Sequence, residues 1–495
     1  MAAGPLSARV LWLCDAALSE LNDGPSPARV RRVRDGLRQP LRIVLAGRLK
    51  AGKSTLVNAL LRQRIAPTDI GECTKVVTAF RYAPAERVEV LGRDGDLRVL
   101  PLQPDGSLPT TLGLPPEDIE SVTVWLANDV LQGFTVIDTP GLSSINEQYS
   151  AATERFLALD EDSRTAIARA DALVYLMPHL AEGEDLLLRG FRELCANEDL
   201  SSVNAIGVIS KIDLAAGDSA NPLRFGHTLA DRYSRRLHAE VASVLPVIGL
   251  LAETARTDVF TEADAADLRE IARLDELTRD EVLFSADWFV DSDRLSIPRE
   301  RRTRLLALLD LYGIRRAVEF VAAGDDTAQA LTARFLELSG FDALLALLTD
   351  VFGARADAVK AHVALTDLER LSYTSDDPQN GPALRALRDA IENLRFDPKM
   401  HQVNELDALR LRAGLETSLA PDLDDDLDRL ARGAGPALRL GLAPDADAAA
   451  IARRALERAT RWLEVVNDPR NDHRTVRLAE LARDSMMLLW QDATG

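Results

Sequence analysis

The sequence predicts a chain of class α/β plus all-α: a mainly parallel sheet with helices on both faces, then a long helical neck or stalk. Three observations predict it. Between about residues 40 and 257, short apolar runs recur, each followed by a turn and a helical pattern. That is how a parallel sheet covered on both faces reads. From about 258 onward those runs disappear, and helical periodicity takes over in segments rich in Ala, Leu, Arg, Asp and Glu. Finally, 495 residues are too many for one core, so two or more domains are expected.

The elements follow in order. Residues 6–22 place Val10, Leu13, Cys14, Ala17, Leu18 and Leu21 on one helical face. Gly24-Pro25-Ser26-Pro27 is expected to break that helix, and a second is expected over about 28–39. The second helix carries Arg29, Arg31, Arg32, Arg34 and Arg38. Such a run reads as a solvated face pairing with acidic helices, with contact to phosphate or lipid as the alternative. Strands are expected at Leu41–Ala46, Ser121–Ala127, Gly133–Ile137, Ala172–Met177 and Val203–Ile209, with a last one entering Leu245–Ala252. Arg87–Leu100 reads as a hairpin around Asp94-Gly95.

Beyond the sheet, Ser339-Gly340 opens a helix expected to run to about 371, roughly 45 Å at 1.5 Å per residue. Ser375–Pro382 is a break, followed by helices at Asp422–Arg432, Ala448–Val466 and Val476–Trp490. Phe341–Phe352 and Met486–Trp490 are apolar enough to touch lipid, but helical spacing explains both as core. The organisation read from these patterns is N-terminal helices 1–39, an α/β domain 40–257 and a helical domain 258–495.

Composition narrows the function. The formal charge of −19 disfavours nonspecific nucleic-acid binding and broad adhesion to anionic lipid. No run of about 18 apolar residues and no signal-peptide pattern is present, so a cytoplasmic protein is expected. Cys14, Cys73 and Cys195 are far apart and suggest neither a disulfide framework nor a metal site. There are six lysines against 53 arginines, and Lys50, Lys53, Lys75 and Lys211 all fall in or beside the motifs below. Ammonium and guanidinium are not equivalent at a phosphate.

GRLKAGKST, Gly47 to Thr55, fits a glycine, four residues, then Gly-Lys-Ser/Thr, set between a strand pattern and a helical pattern. This is the context of a phosphate-binding loop, whose successive N–H groups and helix N-terminus form an anion site. Gly47, Lys50, Ala51, Gly52, Lys53, Ser54 and Thr55 are therefore candidate nucleotide-binding residues. Lys53 is expected to reach the β- and γ-phosphates and Ser54 to ligate Mg²⁺. Asp138-Thr139-Pro140-Gly141 ends the next strand, where Asp138 can hold Mg²⁺ through water and the Gly141 N–H can sense a γ-phosphate. Within Ala66–Lys75, the place of a first switch loop, Thr74 is the candidate hydroxyl for Mg²⁺ and the γ-phosphate, with Thr68 its rival.

Ser210-Lys211-Ile212-Asp213 resembles the guanine-specificity element of GTPases. A carboxylate there accepts two hydrogen bonds from guanine N1 and N2, a pair adenine lacks. Lys211 and Asp213 thus point to GTP over ATP, and Gly249 occupies the place of the loosely specified element behind the base.

In this order and spacing the motifs resemble a dynamin-superfamily P-loop GTPase domain. The segments LRIVLAGRLKAGKSTLVNALL, IAPTD and PVIGLLAETAR are similar to bacterial dynamin-like proteins of the isoniazid-inducible group. The resemblance implies a large GTPase with GTP and Mg²⁺ as ligands, self-associating through its GTPase domain. It implies a helical neck and stalk, work on a membrane in remodelling, fission or repair, and peripheral contact at the inner face of the plasma membrane. A sister dynamin-like chain is a further candidate partner, and no nucleic acid is expected.

Two departures from the family pattern bear on mechanism. Dynamins usually carry Gln then Ser at the third and fourth loop positions, to place water and bind a monovalent cation; here these are Leu49 and Lys50. Leu142 follows Gly141, where Ras-like proteins carry a catalytic Gln. Lys50 is the candidate replacement for the cation, with a solvated surface charge as the alternative reading. Lys53, Thr74, Lys50 and Gly141 are the candidate catalytic groups. A GTP-dependent switch or scaffold with negligible turnover is the alternative function, and an RNA-linked GTPase is disfavoured by the acidic charge.

Overall fold

The computed structural model describes residues 4–22, 24–47, 50–66, 76–109, 111–140, 170–178, 205–215, 221–237, 241, 243–353, 355–374, 380–395, 397, 400–413, 415, 419–432 and 435–494. Its centre is one sheet of nine described strands. These are β1 (Leu41–Gly47), β2 (Thr78–Tyr82), β3 (Arg87–Gly92), β4 (Leu97–Leu100), β5 (Ile119–Leu126), β6 (Phe134–Asp138), β7 (Ala172–Pro178), β8 (Ala205–Ser210) and β9 (Ser243–Val247). Their order is β4-β3-β5-β2-β6-β1-β7-β8-β9. β6, β1, β7, β8 and β9 run parallel, while β2 lies antiparallel to β6 and starts an extension through β5 to the β3–β4 hairpin.

The central parallel strands β1, β7 and β8 are apolar at nearly every position because both of their faces are covered, whereas β2, β3 and β5 alternate and β4 is largely exposed. Side chains alternate across a strand, so Ile43 and Leu45 of β1 join one core while Val44 and Ala46 join the other. The first core is closed by helices α1 (Pro5–Glu20), α2 (Pro25–Leu37) and α3 (Lys53–Leu61), with helices Ala356–Thr374 and Gly381–Arg395. The second is closed by helices lying between residues 222 and 339, including Glu262–Ala272, Arg299–Ala323 and Ala328–Ser339. Residue 257 therefore ends the strand pattern without ending a core: Phe260 and Phe335 meet edge to face, centroids 5.3 Å apart, in the core shared with Ile209. A third core gathers Leu427, Trp462, Leu478, Met486 and Leu489.

Several local expectations change. Pro25-Ser26-Pro27 does not separate the first helices; it forms the opening turn of α2. Proline fits there because the first helical N–H groups have no partner within the helix. The helix expected over 341–371 is broken into Phe341–Ala346, a π-helical stretch Leu347–Gly353 and Ala356–Thr374. A tertiary demand coincides with the break. The buried Arg355 reaches Glu405 at 3.1 Å and the Leu430 carbonyl at 2.6 Å, tying the break to the third core.

Helix α1 is capped from far along the chain. Asp357 Oδ2 and Oδ1 accept from the Leu6 and Ser7 N–H groups at 2.8 and 2.9 Å. A carboxylate suits this end of a helix, where free N–H groups and the helix dipole both favour negative charge. No described helix is long and apolar enough to cross a membrane. Phe341, Phe352, Met486 and Leu489 are buried, as their spacing predicted.

Candidate functional site

The parallel strands deliver their C-terminal ends to one edge of the sheet, where ligands bind in open α/β folds. Gly47 ends β1 with φ 150°, and a Cβ there would lie 2.6 Å from the Leu176 carbonyl of neighbouring β7. Only glycine lets the loop leave the strand at this point. Gly52, with φ 92°, then turns the chain into α3. Lys50 is exposed on the loop with φ 61°. Arg48, Leu49, Thr68, Thr74, Lys75, Gly141 and Leu142 lie outside the described residues.

The end of the site around Lys53, Ser54 and Asp138 is compact. Lys53 is 7% exposed, and its Nζ donates to the Gly47 carbonyl at 3.2 Å. Burial pushes its pKa down, and the nearby Asp138 carboxylate opposes that push. Ser54 Oγ donates to Asp138 Oδ2 at 3.1 Å. The other oxygen, Oδ1, is buried and makes no hydrogen bond to the described residues. Burial raises the Asp138 carboxyl to about 6, against the pull of Lys53 and the Ser54 hydrogen bond. A buried carboxylate oxygen without a donor is costly, and a cation beside Ser54 would satisfy it. The donor set, all hard oxygen, suits Mg²⁺ with retained waters. Behind it, Thr139 Oγ1 donates to the Leu45 carbonyl at 2.8 Å and fixes the turn after β6 to β1.

The second half of the site is a cavity of about 230 Å³ reached from the same loop. Ala51, Gly52 and Thr55 form one wall. Ser210, Lys211 and Asp213 form another at the end of β8, and Gly249 a third after β9. The structure thus brings together the loop, the Ser-Lys-Ile-Asp element and Gly249, some 200 residues apart at the extremes. Gly249 has its nearest neighbour, Thr55 Cγ2, at 3.7 Å from a would-be Cβ. Ser210 Oγ is buried with no hydrogen-bond partner among the described residues. Burial raises the Asp213 carboxyl to about 6; Asp310 raises it further, while local backbone hydrogen bonds and Lys211 oppose.

Two residues absent from the motif reading shape this site. Asp310 lines the cavity from helix Arg299–Ala323, which it interrupts with φ 53° and ψ 177°. The interruption is held on both sides: Asp310 Oδ1 accepts from the Leu311 N–H at 2.5 Å, and Thr254 Oγ1 donates to the Leu308 carbonyl at 2.5 Å. The other is Asn58, buried in α3. Its Nδ2 donates to the Ala66 carbonyl at 3.0 Å and Glu253 Oε1 at 2.7 Å, and its Oδ1 accepts from the N–H groups of Ile65 and Ala66 at 3.0 and 2.8 Å. Asn58 thereby pins the entrance of the switch segment to α3 and to helix Gly249–Arg256. An Asn inside an apolar helix was the only sequence signal for it.

Among known proteins, the Dynamin family profile matches residues 43–212. Isoniazid-induced protein IniC of Mycobacterium tuberculosis is 34% identical over 458 residues, covering 91% of this chain and 90% of that protein. Isoniazid-induced protein IniA of the same organism is 32% identical over 147 residues, 28% of this chain and 23% of IniA. A solved chain described as part of an oligomerised bacterial dynamin pair aligns with 100% of this chain and 92% of that chain, at TM-score 0.36 and 13% identity. The phosphate loop, its sheet and the near full-length identity to IniC agree: this chain belongs to the dynamin family, as a bacterial dynamin-like GTPase of the IniC group.

Proposed function

We propose that the chain binds GTP with Mg²⁺ across this edge of the sheet and hydrolyses it to GDP and phosphate. The observation that carries the reading is the orphaned Asp138 oxygen beside Ser54, at the mouth of a loop that also opens onto Asp213. Lys53 gives up the Gly47 carbonyl and takes the β- and γ-phosphate oxygens. Asp213 accepts from guanine N1 and N2, and Gly249 lets the chain pass close behind the base. Ser54, directly, and Asp138, through water, would hold Mg²⁺, whose charge would neutralise the phosphates. Thr74 joins Ser54 on that ion, and Thr74 and the Gly141 N–H read the γ-phosphate. Lys50 adds positive charge near the bridge.

Association of two GTPase domains across this face would order the switch loops and complete the site. Movement of the helical arm would then act on a membrane from its cytoplasmic side, in remodelling, fission or repair, alone or beside a sister chain. Leu277, Phe284 and Trp288, at 84%, 79% and 49% exposure, are candidates for shallow lipid contact. Turnover per subunit measured against protein concentration, with ATP as control, tests the reading. A rate that climbs with concentration for GTP alone supports it.

The second reading, a switch with negligible turnover, is favoured by Leu49 and Leu142, apolar where other GTPases place a water-positioning group. GTP binding with a flat or absent rate would select it.

A further inference from the structure

A second cavity, of about 350 Å³, opens where α2, the start of β1, β2 and helix Ala356–Thr374 meet. It is separate from the nucleotide site. Arg42 stands near the beginning of β1 and Gly47 at its end, five residues or roughly 17 Å along the strand.

Its chemistry differs from that of the chain as a whole. Six cationic side chains line it against three carboxylates, in a protein of net charge −19. Part of that charge is internally matched. Arg42 and Asp171 form a bidentate pair, Nε to Oδ2 at 3.1 Å and Nη2 to Oδ1 at 2.9 Å. Arg370 lies 3.9 Å from Asp367. Asp35 is engaged by Arg34, outside the cavity wall, at 3.4 Å.

The remainder is matched more weakly, through charge without an ion pair: the Arg29 charge lowers the Asp367 carboxyl, and Arg81 acts on Glu89. Arg29 and Arg32, one helical turn apart on α2, make no hydrogen bond or ion pair to the described residues. Arg81 Nε is buried without a hydrogen-bond partner among them, and its guanidinium lies 5.8 Å from the Trp125 ring. Among the described residues, Lys360 Nζ donates to the carbonyls of Leu37 and Gln39. Burial pushes the pKa values of Arg81 and Lys360 down and the Arg42 charge adds to both shifts, while Glu89 opposes the first and Asp171 and Asp357 the second. For Arg81 and Lys360 the carboxylates offset the cost of burial only in part, and an anion between the cations would lower it further. The arginine run of α2 thus divides: Arg34 pairs with Asp15 at 3.3 Å, as a solvated face should, whereas Arg29 and Arg32 turn to the cavity.

We propose that this cavity binds a small phosphate-bearing molecule, held by Arg29, Arg32 and Arg81 between the nucleotide sheet and the helical arm. Guanidinium forks match phosphate oxygens two at a time, and the volume falls in the range of small-molecule sites. Such a ligand would bridge α2, β2 and helix Ala356–Thr374, which come from three distant parts of the sequence.

Thermal unfolding of the full, metal-free chain with inorganic pyrophosphate tests this, against sodium chloride of equal ionic strength. The wild type should melt at higher temperature with pyrophosphate. The Arg29→Gln/Arg32→Gln double variant should need about tenfold or more pyrophosphate for the same shift, since each lost group made charge-assisted hydrogen bonds. Lys53→Ala, which impairs the phosphate loop alone, should keep the shift. Arg81→Gln provides a second, independent reduction. Arg29 acts on the half-buried Asp367 carboxyl through its charge, whereas no described residue pairs with Arg32, so Arg32→Gln alone should melt like the wild type without ligand and still weaken the pyrophosphate shift. A shift lost in Lys53→Ala yet intact in the double variant would overturn the proposal, as would no shift beyond that of chloride. Vesicles of phosphatidylcholine with or without phosphatidic acid separate the sources. Phosphatidic acid-dependent binding that the double variant loses assigns the phosphate to a lipid headgroup. A pyrophosphate shift without such vesicle binding assigns it to a soluble molecule.

Discussion

Asp310 and Asp213 line one cavity, although Asp213 follows β8 and Asp310 belongs to a helix that begins 86 residues later, at Arg299. The Asp310 backbone sits in a region almost confined to glycine, a strain of order 1–3 kcal/mol that persists only where surrounding contacts enforce it. Like charges disfavour joint ionisation, and Asp310 raises the Asp213 carboxyl. Asp310→Asn should therefore tighten GTP binding several-fold near pH 6, with a smaller gain at pH 8. Titration of a fluorescent GTP analogue at the two pH values checks this.

Asp138 and Asp213 each titrate near 6, well above an ordinary aspartate, chiefly through burial. Between about pH 4 and 6 the folded chain holds protons that the unfolded chain has released. Stability of the nucleotide-free protein should thus fall as pH rises through that window. Nucleotide binding runs the other way, because magnesium and guanine both need the carboxylates ionised. Affinity for GTP with Mg²⁺ should drop roughly tenfold from pH 7.5 to 5.5, with proton release on binding. Calorimetry in buffers of different ionisation enthalpy measures both.

Exchanging Asp213 for Asn presents an N–H where guanine also presents donors. Asp213→Asn should lose GTP and gain xanthosine triphosphate, whose 2-oxo group can accept. Competition binding with the two nucleotides reads the switch, and unchanged GTP preference would refute the assignment of Asp213 to the base.

Asn58→Ala should destabilise the fold by about 2–4 kcal/mol, because it strands buried groups of Ile65, Ala66 and Glu253. Urea denaturation gives the loss. Protease cleavage just after Ala66 should quicken in the same variant.

A chain ended at residue 257 should aggregate, since it removes Phe260, Leu268, Leu308 and Phe335 from the core that covers Tyr175 and Ile209. Light scattering of that fragment beside the full chain is the check.

The parts that could be read in advance were those in which one residue type answers one local need. Gly47 and Gly52 follow from a loop that must turn sharply between strand and helix, and Asp94-Gly95 from a two-stranded turn. Strands β1, β7 and β8 announce themselves because burial on both faces leaves few polar positions. The Ser210–Asp213 element was legible for the same reason, standing at the end of a wholly apolar run. What escaped depends on partners far away. The apolar period of Phe341–Phe352 continues unaltered through the π-helical stretch, and only the reach of Arg355 to Glu405 marks the place. Asp310 looks like one more acid on a helix until Thr254 captures the Leu308 carbonyl beside it. The Asn58 side chain makes four hydrogen bonds to three residues, none closer than seven positions in sequence.

The carboxylate that closes the first helix lies about 350 residues downstream of the N–H groups it accepts from. At roughly 5–20 residues per second, a ribosome needs on the order of 20–70 s to supply it. During that interval the apolar stripe of α1, including Leu6, Val10 and Leu13, has emerged without the helix that will bury it. The chain must therefore be born with its beginning unfinished, and its first segment is where a nascent-chain chaperone would find a binding site.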